Sequence, residues 1–172
     1  MLVFLDCEYT DPINIDLVSI GLVTEDGCAE FYAERSDFAD ADCNQFVRAA
    51  VLPLLYTVPA NVMTRAQLTE RLREWFATLP KKMVVACDDQ TDWELLVDVF
   101  DGELPTNIVR PHRNLRSLID TTVYHRAVCQ YHSVPGQPWH HALHDAKAHR
   151  MGWLAWMDLA KEKNSLKYTK SR

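Results

Sequence analysis

The sequence predicts one α/β domain built on a mixed sheet, and three observations carry that expectation. Residues 2–33 hold three short apolar runs separated by tight polar turns, the spacing of antiparallel neighbours. Beyond them the apolar period lengthens to three and four, the mark of amphipathic helices. Between two such helical segments lies a continuous apolar run, Met83 to Cys87, as in an interior parallel strand. A meander followed by helix–strand–helix units makes a mixed sheet of five strands flanked by helices.

Leu2 to Cys7 is a short, partly β-branched run and reads as a buried strand. A polar turn through Asp11, Pro12, Asn14 and Asp16 leads to a second strand over Leu17–Thr24. Glu25-Asp26-Gly27 is a hairpin turn into a third strand over Cys28–Ala33. From Cys43 to Leu55 the residues Phe46, Val47, Ala50, Val51 and Leu54 repeat at helical steps, with Pro53 and Pro59 bounding or kinking the segment. Thr64 is placed to cap a helix over 64–79 whose stripe is Leu68, Leu72, Trp75, Phe76 and Leu79. After the strand at 83–87 come a helix over Asp92–Phe100, a fifth strand over Asn107–Arg110, and helices over Leu115–His132 and His141–Lys161. Residues 162–172 read as a basic, frayed tail.

The chain has 172 residues, 48 % hydrophobic and 24 % charged, which fits a single domain over 1–172 with its own core. No apolar run approaches the ~18 residues of a membrane span, and the opening run Leu2–Leu5 stops at Asp6 without the flanks of a signal peptide. The net charge of −6 disfavours bulk attraction to nucleic acid, so any such partner needs local positive charge, which divalent cations would bring. Five cysteines without a CxxC pair point to a reducing, cytoplasmic setting rather than a disulfide framework.

Three polar clusters carry chemistry. Asp6 and Glu8 end the first strand two positions apart, so both carboxylates face the same side; such a pair is stabilised by a cation between them. Asp88, Asp89 and Asp92 follow the apolar strand 83–87, where ligands gather in α/β sheets. One of the three suffices to cap the next helix. Asp145 borders the apolar stripe of the last helix beside Ala142 and Ala146, with His140 at the helix entry, and an acid there is costly unless paired or bound to metal.

In this order, the clusters resemble the DEDDh family of 3′–5′ exonucleases, relatives of oligoribonuclease, RNase T and the proofreading subunit of DNA polymerase III. Asp6-x-Glu8 matches the first motif, Asp92-Trp93-Glu94-Leu95-Leu96 the second, and His140-x4-Asp145-Ala146 the third. Asp6-x-Glu8-Tyr9 and the strand Leu17-Val18-Ser19-Ile20-Gly21 look closest to the small bacterial RNase AS-like exoribonuclease branch. Thr91 stands where the family often has an aromatic residue, and Asp88 and Asp89 compete with Asp92 for the second motif.

The resemblance implies a ribonuclease H-like fold and a metal-dependent exonuclease that releases 5′-mononucleotides from single-stranded nucleic acid. It implies RNA as the favoured substrate, with DNA as the alternative, and a homodimer. It further implies two Mg²⁺ or Mn²⁺ ions per site. Asp6 would bridge them, Glu8 and Asp145 would complete one site, and Asp92 would help to hold the other. His140 would be the general base. Tyr9, Trp93 and Trp139 adjoin motif residues and are candidates for stacking on substrate bases, and Arg110, His112, Arg113 and Arg116 for following the backbone. Three other readings stand: a catalytically silent nucleic-acid-binding module on the same fold, a histidine-rich zinc protein using His140, His141, His144 and His149, and an endonuclease of the related RNase H group.

Overall fold

Alternation along the first strand sorts the two layers of the fold. The structure, a computed structural model, describes residues 1–169, with side chains through residue 162. In β1 (Leu2–Tyr9), Val3, Leu5 and Cys7 pack with Leu68, Leu72 and Phe76 of α1 (Arg65–Ala77) and with Leu96 and Val99 of α2 (Gln90–Val99). Phe4 faces the other layer, where it meets Tyr124 and Val128 of α4 (Thr122–His132) and Ala146 and Trp153 of α5 (Ala142–Thr169). The period of two along β1 thus separates two helical layers.

The sheet has six strands, one more than expected. β2 (Leu17–Thr24) and β3 (Glu30–Arg35) form the antiparallel meander with β1. β4 (Val62–Met63) adds a short parallel edge to β3. β5 (Val84–Cys87) lies parallel to β1, and β6 (Arg113–Asn114) parallel to β5, so the order is β4-β3-β2-β1-β5-β6. The fifth strand expected at 107–110 is reduced to a single bridge between Met83 and Ile108. Pro111 lacks the N–H that a ladder requires, and pairing resumes only beyond it, at Arg113.

Side-chain caps account for the starts of α1 and α2. Thr64 and Gln67 form a reciprocal capping box at the start of α1. Asp89 caps α2 by accepting from the Thr91 N–H at 2.8 Å, so this helix begins two residues before the expected Asp92. The helix expected over 43–55 is instead a π-helical turn over Val47–Val51 followed by a 3₁₀ turn over Leu52–Leu54. Pro53 removes one of the N–H groups that would continue regular α bonding. The single helix expected over 115–132 is split into α3 (Arg116–Ile119) and α4, with the break at Asp120 and Thr121. α5 continues past Lys161 to Thr169, where a frayed tail was expected; residues 170–172 lie outside the described residues. Among the described residues no helix is long and apolar enough to cross a membrane.

One close approach positions the site. A Cβ on Gly21 of β2 would overlap the backbone of Ala142 and Leu143 in the first turn of α5. Gly21→Ala is expected to force this turn off the sheet, at a cost of about 1–3 kcal/mol measured by denaturant unfolding. Unchanged stability would mean that α5 can shift freely.

Candidate active site

The face of β1 that carries Phe4 becomes acidic at its end. Leu2 and Phe4 belong to the layer of α4 and α5, and Asp6 and Glu8 continue that face. β5 runs beside it in parallel register, with Phe4 opposite Ala86, so two residues on from each lie Asp6 and Asp88. A register shift between Glu8 and Tyr9 ends the regular pairing with β2 just beyond the two acids. Across from this edge stands α5, where Asp145 and His149 are four residues apart and share a helix face. His140 precedes α5 in a left-handed conformation, φ 61°, which few residues other than glycine adopt without cost.

These residues form two groups of donors, each with its atoms within 4.8 Å of one another: Glu8, His140 and Asp145 in one, and Asp6, Asp88 and His149 in the other. His149 Nε2 lies 3.2 Å from Asp88 Oδ1 and 4.0 Å from Asp6 Oδ1, while its Nδ1 is 2.9 Å from the Tyr124 hydroxyl. Asp145 Oδ2 accepts from the His141 backbone N–H at 3.1 Å. Its Oδ1 lies 3.1 Å from Nε2 of the fully buried His132 ring, close enough for charge pairing but misaligned for a hydrogen bond. His132 Nδ1 faces the Gln137 carbonyl at 3.0 Å. That oxygen only accepts, so Nδ1 carries a proton. Asp92 is 3 % exposed and belongs to neither donor group, although its charge acts on Asp6.

The acids are crowded and poorly solvated. Burial, then the charges of Asp92, Asp145, Glu8 and Asp88, push the Asp6 carboxyl well above its ordinary range. Burial and Asp145 raise Glu8 to about 8. Burial, then Asp88 and Asp89, raise Asp92, and burial raises Asp145 against the opposing pull of His132, His149 and His140. Asp88 is the exception: burial would raise it, but the hydrogen bond and charge of His149 hold it below its usual value. So much negative charge on one buried edge suits a site that binds cations.

A stability prediction follows. An acid raised in the folded state stabilises it fully below the unfolded pKa, and that contribution is lost as pH rises to the folded value. Glu8 therefore destabilises the metal-free fold progressively up to about pH 8. His141, which burial lowers to about 4, works in the opposite sense, but only below its ordinary 6.5. In EDTA the melting temperature is expected to fall between pH 6.5 and 8. Glu8 alone accounts for about 2 kcal/mol, or roughly 4–8 °C, and divalent cations should flatten the slope. A flat profile in EDTA would contradict the charge crowding.

No family model and no curated protein matches the chain. The geometry itself therefore sorts the residues expected from sequence. Glu8, His140 and Asp145 converge as donors, Asp6 belongs to the other donor group, and Asp92 is buried outside both. Asp89 is the cap of α2. His141 stacks on Tyr32 at 4.3 Å and His144 Nδ1 pairs with the Tyr131 hydroxyl at 2.9 Å, so neither donor group contains two histidines. Trp93 is 8 % exposed, stacked on His112 at 5.0 Å with the Arg110 guanidinium 5.9 Å from its ring centroid; it packs the start of α2 and presents no free face to a base. Trp139 is stacked on His132 at 3.8 Å yet 46 % exposed, which leaves surface for a ligand. Tyr9 is half-buried beside Asp89 and Asp92, whose charges, after burial, raise its phenol.

Three contacts are not expected from the sequence. Phe46, expected on an apolar stripe, is 52 % exposed and stands edge-on to His140 at 4.8 Å. His149, expected only among the histidines of a zinc site, joins Asp6 and Asp88; its four-residue spacing from Asp145 is the signal that puts both on one face of α5. His132 had no such signal, because its contact with Asp145 depends on how α4 packs on α5.

Proposed function

We propose that the protein is a metal-dependent 3′–5′ exonuclease that releases 5′-mononucleotides from single-stranded RNA, on a ribonuclease H-like fold. The observation that carries the reading is that Glu8, His140 and Asp145, from β1, the loop before α5 and α5 itself, form one donor group, while Asp6, two residues before Glu8 on the same strand face, belongs to a second and feels the charges of Glu8 and Asp145. The antiparallel meander followed by parallel strands supports the fold assignment.

The carboxylates of the donor groups suit Mg²⁺ or Mn²⁺. Glu8 and Asp145 would hold one ion and Asp6, with help from Asp92, a second; the ions would supply Lewis acidity toward the phosphate and lower the pKa of water. His140, at the mouth of the site, takes the proton from the attacking water. Its ring stands edge-on to Phe46, and the left-handed backbone at this position precedes the first turn of α5. Asp145 accepts from the His141 N–H, which fixes its orientation. Trp139 edges a cleft of about 190 Å³ that also includes His125, Val128 and His149, room for part of a terminal nucleotide. The reading also carries a homodimer in the cytoplasm.

The test is digestion of a 5′-labelled RNA oligomer. A 3′-shortening ladder with 5′-mononucleotide products is expected in Mg²⁺ or Mn²⁺, and none in EDTA, with DNA of the same sequence cut more slowly. A ladder that survives EDTA, or products with 3′-phosphates, would refute the reading; retention of RNA without cleavage would favour a silent binding module.

A further inference from the structure

Asp6, Asp88 and His149 come from β1, the residue after β5, and α5, and bring two carboxylates and an imidazole within 4.8 Å of one another. We propose that these three residues bind a divalent transition-metal ion directly, making the second cation site a mixed nitrogen–oxygen site in which Asp88 and His149 are ligands. The inference deepens the exonuclease reading, shares Asp6 with it, and rests on it for the catalytic consequence alone.

The spacing fits. Ligand atoms each about 2.1 Å from an ion lie about 3 Å apart when adjacent and about 4.2 Å apart when opposite. The separations of His149 Nε2 from Asp88 Oδ1, 3.2 Å, and from Asp6 Oδ1, 4.0 Å, fall within that window.

The imidazole is also oriented as a ligand would be. Its Nδ1 lies 2.9 Å from the hydroxyl of Tyr124, a residue with no solvent exposure, and a phenol hydroxyl can accept as well as donate. When it accepts from Nδ1–H, the Nε2 lone pair is left directed at the two carboxylates, the arrangement by which an outer partner sets the tautomer of a ligating histidine. Gly152 makes this possible: a Cβ there would run into the Tyr124 ring at 2.6 Å.

An imidazole ligand shifts preference away from Mg²⁺ toward Mn²⁺ and later transition metals.

The experiment is a titration of the full chain with Mn²⁺ alone, counting free ion by electron paramagnetic resonance and reading ¹⁴N modulation of the bound ion by electron spin echo. His140→Ala serves as background, to remove the imidazole of the other donor group. In that background His149→Gln is expected to weaken one Mn²⁺ site by about 10–100-fold and to lower the nitrogen modulation. Asp88→Asn should weaken the same site. Tyr124→Phe, which keeps the ring and its packing, should weaken it about tenfold, and serves if His149→Gln does not fold. Nitrogen modulation unchanged by His149→Gln, whatever the affinity, overturns direct ligation and leaves His149 as a counter-ion of Asp88. If that occurs while the RNA ladder remains metal-dependent, this inference alone falls. If Mn²⁺ binds through His149 but no RNA is cut, the exonuclease reading falls and the site stands.

Discussion

Asp6→Asn is expected to lower kcat by about 10³-fold or more in saturating Mg²⁺ or Mn²⁺, while the metal-free protein melts higher than wild type. Asp6 is the acid on which the charges of Asp92, Asp145, Glu8 and Asp88 all act. Asparagine keeps the shape and removes the charge, so a site that depends on that carboxylate loses its central ligand. The same change relieves a poorly solvated carboxylate, and His149 Nε2, 4.0 Å away, loses no hydrogen bond. A higher Tm in EDTA follows, because the neutral side chain no longer carries the cost of a buried carboxylate among four other acids. Opposite signs in activity and stability mark a functional carboxylate; a variant both active and less stable would make Asp6 a structural residue.

His140→Asn is expected to lower kcat by about 10²–10⁴-fold with Mn²⁺ affinity within a few-fold of wild type. Asparagine tolerates the left-handed backbone at position 140, so the loss reports the missing imidazole rather than strain. His144→Ala provides the contrast. Its ring pairs with the Tyr131 hydroxyl on another side of α5, and activity should stay near wild type. A collapse of metal affinity in His140→Asn would make His140 a ligand beside Glu8 and Asp145. Near-wild-type turnover would remove the general base from this position.

The elements legible in the sequence were those set by local pattern. β1 and β2, α1 with its Thr64 cap, and the continuous apolar run that became β5 all follow from periodicity or capping within a few residues. β4 and β6, two residues each, carry no periodicity and exist because a neighbouring strand offers them a ladder. The break between α3 and α4 falls in a segment whose apolar spacing is continuous. At the site, same-face geometry was enough for Asp6 and Glu8, whereas the approach of Asp88 needs the parallel register of β5 on β1. The contact of His132 with Asp145 depends on α4 lying against α5, a long-range fact that no local spacing encodes.

Asp145 and His149 stand one turn apart on the same rod, and each contributes to a different donor group. Four residues of helix advance about 6 Å, a length that side-chain motion cannot stretch. The two groups therefore share a ruler. Any sliding of α5 along the sheet changes both at once, and any ligand that grips one end draws the other into register. Were both groups to hold ions, their occupancy would be linked mechanically, and filling the first would lower the reorganisation left for the second. Gly21, which lets the first turn of α5 lie flush on β2, is the zero mark from which that ruler is read.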